Sequence, residues 1–281
     1  MKYEFTDETK IVGTHTLHRI RALKDIKYTK IIAGELGGWI ENKNNLTQSG
    51  NCWVYDNAQV YGNARVVGDA RIYDNAQIYD NAQVYDNAHI SGEAKIFGNA
   101  WVSDCANIFG KAQIYGDAEI SDNAWVYHHA KIFDCAKIYN NAQIFNDAQI
   151  YGDAYVYGNA YVYGNAQIFN DAQVFDYARI FGEAQIYNNA IVCGNAQIGG
   201  KGRIEQDTDY ITIGLIGSRK DTLTAFKIGN NQIGIITGCF IGTIIDFINA
   251  VNDYHGDNIY GKEYKAAINF INHILKIRNG D

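Results

Sequence analysis

Proline is missing from this chain altogether, and methionine occurs once. Without proline, no proline-rich spacer divides it. Cysteine is scarce and odd in number, five among 281 residues, and no two stand at the close spacing of a metal site. That excludes a disulfide framework and a zinc ribbon, and no metal or cofactor is expected. Long apolar runs are lacking too. The longest uncharged stretch, Ile233 to Ile245, is too short and too rich in glycine to cross a bilayer. The N-terminus does not show the charged, apolar, small-residue order of a secretory signal. A soluble protein in a reducing, cytoplasmic compartment is expected. Positive charge is also in deficit. The net charge is −7, with +2 on residues 1–53, −7 on 54–203 and −2 on 204–281. There is no basic stripe, which argues against a nucleic-acid groove binder.

What the chain does have is a period. From Val54 it reads VYDNAQ, VYGNAR, VVGDAR, IYDNAQ and onward to IGGKGR, ending at Arg203, a total of 25 hexads without a phase break. Such self-similarity decides the fold before any local propensity does. Position one is Val or Ile throughout; position five is Ala in all but the last hexad, where it is Gly202. Position three is Gly, Asp or Asn except at His128. A β-branched residue every six places supplies one inward side chain per short strand. Small Ala fits a crowded interior corner. Gly, Asp and Asn tolerate the turn conformations that other residues resist.

These columns resemble the aliphatic-x-x-x-small-x motif of the hexapeptide-repeat family, over residues 54–204. The resemblance implies a mainly β protein: a three-sided, left-handed parallel β-helix with 18 residues per coil. At a strand spacing of about 4.8 Å, the prism is roughly 40 Å long. Position two departs from the family pattern, being Tyr or Phe in 19 of 25 hexads. Alternation points it outward. One column is unbroken from Tyr61 through Tyr79, Phe97 and Tyr115 to Tyr187, beside a column of Gln and Lys from Gln59 to Gln185. This face is either a stabilising ladder or an oligomer interface.

The ends of a β-helix need covering. Residues 1–53 are expected to form an N-terminal cap, with strands in KYEF and THTLHRIRAL and a turn-rich lead-in, GELGGWIENKNNL. Trp39, Leu46 and Trp53 are candidate plugs. Residues 205–281 break the period and predict a small α+β domain of three strands and two helices. Thr243 and Asp246 are placed like a capping pair, and Gly256 can end the first helix. GLIGSR (214–219), GCFIGT (238–243) and HGDN (255–258), after VYGNA-type repeats, are similar to segments of uncharacterised phage and prophage proteins of Gram-positive bacteria. That resemblance implies origin and architecture, with a host-cell cytoplasmic location, and carries no activity.

Candidate sites follow from contrast. The repeats offer nearly equivalent surfaces, whereas the C-terminal domain gathers irregular polar residues at turns. A small anionic ligand or a host protein is expected at Ser218, Arg219, Lys220, Thr243 and His255, because a basic loop near a helix start can hold a phosphate or carboxylate. Cys239, His255 and Asp257 also invite a nucleophile reading, set against a buried Cys and a helix-ending His. Within the prism, His129 and Lys111 share a corner column with Glu93 and Asp147, either a weak acid–base cluster or a solvated charge ladder. No residue is assigned a catalytic role. The expected function is a non-enzymatic, homo-oligomeric scaffold or binding protein, in one version sequestering a host defence factor or nucleotide-like signal. Rivals are a hexapeptide-type acyltransferase, disfavoured because no loop extrudes from the coils, a polymer-forming structural protein, and an acidic DNA mimic, weakened by the modest charge.

Overall fold

The computed structural model describes residues 1–229 and 232–279. Its centre is a three-sided parallel β-solenoid. Each hexad contributes a two-residue strand made of positions six and one, such as Gln113–Ile114, and each strand pairs in parallel with those 18 residues before and after it. The rungs stack into three sheets. All position-one aliphatics and position-five alanines of the repeats are fully buried. Ile114 therefore lies between Ile96 and Ile132, in register with both. Backbone bonds clamp the rungs on either side of it, from the Gln113 N–H to the Ala130 carbonyl at 2.9 Å and from Tyr115 N–H to Ile132 at 3.0 Å.

Position three explains its own composition. All 25 of these residues take positive φ, between 49° and 60° in the non-glycine residues and between 58° and 73° in the glycines. Only Gly, Asn and Asp enter this region readily, and His128 joins them at 59°. At six of the eight Asp there, the carboxylate also accepts the N–H of the same position one coil on, as Asp74 does from Gly92 at 2.8 Å and Asp122 from Asn140 at 2.9 Å. At Gly116 an added Cβ would meet the Asp134 nitrogen at 2.8 Å.

Position two points outward on all three sides, so the aromatic columns number three. The longest, Tyr61 to Tyr187, stacks ring on ring at 4.8–5.3 Å with planes within 8° of parallel. Phe109 to Phe181 and Tyr139 to Phe175 form the others. Ser91 interrupts the second column, and Ser103 and Ser121 the third. The rings are half-buried. Burial is the largest influence on the Tyr115 and Tyr151 phenols and pushes both up.

The N-terminal hairpin, β1 (Tyr3–Val12) and β2 (His15–Ala22), pairs antiparallel and adds to the sheet through β3 (Leu36–Ile40). The solenoid starts earlier than the hexad pattern. β3 is already a rung, with Ile40 beside Val60, and Leu46 bridges Val66. Both partners lie 20 residues on, not 18, so two extra residues between Leu46 and Val54 hide the phase. Leu46 and Trp53 are buried and, together with Tyr3 and Ile20, join the solenoid core. Trp39 is no plug: alternation turns it outward, where Lys10 and Arg19 lie 5.8 and 5.5 Å from its ring.

At the other end an antiparallel sheet covers the last coil. It has four strands rather than the expected three: β4 (Tyr210–Ile216), β5 (Asp221–Ile228), β6 (Gln232–Thr237) and β7 (Phe240–Thr243). Its two faces are both apolar. Phe226 and Ile236 join the solenoid core, while Leu223, Ala225 and Ile235 pack under the helices α1 (Ile244–Tyr254) and α2 (Ile259–Asn279). Phe247 and Val251 of α1, and Tyr264, Ala267, Ile268, Ile271 and Leu275 of α2, supply the buried helical faces. Polar anchors fix the junction: the Thr224 hydroxyl accepts from the Gln197 N–H at 3.0 Å, and Lys227 lies 2.7 Å from Asp209.

Candidate functional site

Sheet topology places two tight turns at one end of the C-terminal sheet. The β4–β5 turn runs from Gly217 to Lys220, between paired Ile216 and Asp221. The β6–β7 turn is Gly238–Cys239, between paired Thr237 and Phe240. Positive φ at Gly217, Lys220 and Gly238 lets the chain reverse there. The C-terminal end of α1 reaches the same place, closed by the Gly256 N–H on the Val251 carbonyl at 3.1 Å. Together these segments enclose a cleft of about 480 Å³, within the usual range for small-molecule sites.

Ser218 and Arg219 enter from the first turn, Cys239 from the second, and Tyr254 and His255 from the end of α1. Phe240, Phe247, Ala250 and Val251 make an apolar wall. Tyr264 of α2 also lines the cleft, its ring 5.5 Å from His255 and 5.3 Å from Phe247. Its hydroxyl sits where a Cβ on residue 217 would have to go, so the turn requires glycine there. Burial, then Glu263 and Asp221, push the Tyr264 phenol up; at neutral pH it is a proton donor. Among the described residues Arg219 has no hydrogen bond and no ion pair closer than 4 Å. Its stem packs by Gly238, and the Asp221 carboxylate flanks the same glycine. The Glu263 carboxylate, which accepts the Gly217 N–H at 3.0 Å, the Asp221 carboxylate and the carbonyl end of α1 all offset that one guanidinium.

The structure brings together Ser218, Arg219 and His255 of the expected set and leaves out two. Lys220 does not line the cleft. Thr243 stands at the opposite end of α1 and is occupied there: its hydroxyl accepts the Asp246 N–H at 3.2 Å, and Asp246 accepts the Thr243 N–H at 3.0 Å. This capping box takes up the Thr243 and Asp246 N–H groups and sets the Asp246 carboxylate where an anion would sit. Asp257 is likewise engaged, 2.9 Å from Lys265, so Cys239 and His255 share the cleft without it. Asp221, Tyr254, Tyr264 and the apolar wall went unread in the sequence. The buried stripe of α2 contains Tyr264, and its lone phenol was the available signal.

On the prism, Lys111 and His129 lie in a shallow trough of about 310 Å³ with Gln113, Lys131, Asp147 and Gln149. His129 is 3.5 Å from Asp147 and Lys111 is 3.7 Å from Glu93, all with side chains about 60% exposed. That is the geometry of a solvated charge ladder, whose pairs contribute little.

Residues 58–74, 76–92, 112–128, 148–164 and 184–200 match the YdcK β-solenoid repeat family. A protein of Escherichia coli (strain K12) named uncharacterized acetyltransferase YdcK is 48% identical over 40 residues, 14% of this chain. The chain spans only 12% of that protein's length. With the geometry, these matches make the chain a repeat β-helix protein. The family match falls wholly within the repeats, so neither the cleft nor the C-terminal domain shares in it. Among the described residues no helix is long and apolar enough to cross a membrane.

Proposed function

We propose that the protein is a binding scaffold: a rigid prism that carries, at its C-terminal end, a cleft for a compact ligand with an apolar body and a single anionic group. The observation that carries this reading is the unpaired Arg219 guanidinium beside an apolar wall and a protonated Tyr264. A guanidinium grips a carboxylate with two hydrogen bonds, while Phe240, Phe247 and Val251 receive the apolar part. Asp221 and the end of α1 offset the positive charge, so a monoanion fits better than a polyphosphate. A nucleotide-like signal, the most specific version of the phage-derived reading, is thereby the less favoured ligand. Isothermal titration with aliphatic and aromatic carboxylates tests the assignment. Arg219→Ala is expected to lose binding with the melting temperature nearly unchanged. Undiminished binding by that variant would move the site elsewhere.

A second reading, acyl transfer, draws on the name of the relative and on His129 beside Asp147. Its discriminating measurement is acetyl-CoA binding, with His129→Gln as the control. Self-association through the aromatic columns or the C-terminal domain belongs to the scaffold reading and is checked by light scattering.

A further inference from the structure

The N-terminal cap contains a pair of reactive groups that the cleft does not involve. Lys2 is only 1% exposed and Cys52 is fully buried. The Lys2 ammonium nitrogen, Nζ, lies 3.1 Å from Cys52 Sγ and 2.8 Å from the Cys52 carbonyl oxygen. The neighbouring Tyr3 and Trp53 are themselves buried. Cys52 occupies a position-five slot, which is Ala in 24 hexads, so the sulfur is not needed to fill the corner. Cys105, Cys135 and Cys239, by contrast, are exposed.

We propose that Lys2 and Cys52 are a modification site, joined under peroxide by a covalent Nζ–Sγ bond that staples the N-terminal strand to the first coil. While closed, a buried thiol is inert. Local opening of the N-terminal hairpin exposes it, however, and Lys2 stands just before β1. On opening, the sulfur attacks one peroxide oxygen. The O–O bond breaks, a sulfenic acid forms, and the leaving hydroxide takes up the thiol proton as water. On reclosure the Lys2 nitrogen attacks that sulfur; the N–S bond forms as the S–O bond breaks, and the hydroxide leaves with an amine proton as a second water. One thiol, one amine and one peroxide thus give one sulfenamide and two waters, the sulfur losing the two electrons that peroxide gains. The second step needs an uncharged amine. Burial is the largest influence on both groups, pushing the Lys2 ammonium down and the Cys52 thiol up, which favours the neutral pair.

The test uses the full chain with Cys105, Cys135 and Cys239 replaced by serine and treated with hydrogen peroxide. Intact mass is expected to fall by two hydrogens, and peptide mapping to find Lys2 joined to Cys52, both reversed by dithiothreitol. Oxidised protein is expected to melt higher than Cys52→Ala treated alike. Lys2→Met, which keeps the buried stem, is expected to stop at the sulfenic acid and trap a dimedone adduct. Cys52 recovered as a thiol, or as a sulfinic acid with Lys2 unlinked, overturns the proposal.

Discussion

Ile114 and Tyr115 are neighbours in one rung, yet the structure assigns them opposite surroundings, and that contrast yields a quantitative test. Ile114→Ala deletes three carbons from a fully buried side chain. At roughly 0.8 kcal/mol per carbon, the transfer loss is about 2.4 kcal/mol. A cavity term adds to it, because hydrogen bonds of 2.9 and 3.0 Å to the next coil hold the rungs apart and oppose collapse. The sum is about 4 kcal/mol, in the upper part of the usual range for such truncations. Tyr115→Ser removes two outward stacking contacts, with Phe97 at 4.8 Å and Phe133 at 4.9 Å. Each contributes up to about 1 kcal/mol, so the expected loss is about 1–2 kcal/mol. Equilibrium urea unfolding followed by far-ultraviolet circular dichroism measures both. Hydrogen exchange at the amides of residues 113–115 reports whether the damage stays in one coil, as nearest-neighbour stacking implies. Equal losses, or a larger one for Tyr115→Ser, would falsify the inside–outside assignment.

At position three, where φ is 56° at Asp134, Asp134→Gly is expected to lose only the exposed bond from the Gly152 N–H at 3.2 Å, whereas Asp134→Val loses that bond and costs about 1–2 kcal/mol more for a β-branched residue forced left-handed; thermal melts of the pair decide. Removal of residues 205–281 uncovers the last coil, normally plugged by Phe226 and Ile236, and is expected to cause concentration-dependent association by light scattering. Asp246 has a carboxyl held below the ordinary range by the hydroxyl and N–H of Thr243. A depressed folded value means that its contribution to α1 is present above an ordinary carboxylate pKa of about 4 and is lost as pH falls through the depressed value. In a carbon-detected NMR titration, Thr243→Ala is expected to return Asp246 toward the ordinary midpoint; an unchanged midpoint refutes the cap as the cause.

The repeat was readable because each column obeys one physical demand. An inward β-branched side chain, a corner with room for only a methyl group and a left-handed turn are demands that the residue type itself reveals. The first coil obeyed the same demands through Ile40 and Leu46, but two inserted residues moved it out of phase and it read as loop. β7 was missed for a related reason. Gly238 and Cys239 make a turn of only two residues, so GCFIGT looked like a single irregular segment and not a turn followed by a strand. The cleft was half legible. Polar residues at turns advertise themselves, and Ser218, Arg219 and His255 do line it. Thr243 carried the right chemistry at the wrong end of α1. The Thr243–Asp246 cap was itself legible in the sequence; what was not legible is that this helix start lies away from the cleft. The aromatic wall was invisible because the same side chains serve as ordinary core.

The 18-residue coil also fixes how the gene can change length. Deleting or duplicating one whole coil translates the C-terminal cleft along the prism by a single strand spacing, about 4.8 Å, and leaves its bearing unaltered. The unbroken Tyr61–Tyr187 column then simply gains or loses one ring. Adding a single hexad instead swings the cleft by a third of a turn and splices each column onto its neighbour, setting ring over serine where the interrupted columns meet the complete one. Among variants of this chain, lengths differing by multiples of 18 should therefore keep their stacks, and lengths differing by six should show matching substitutions at position two.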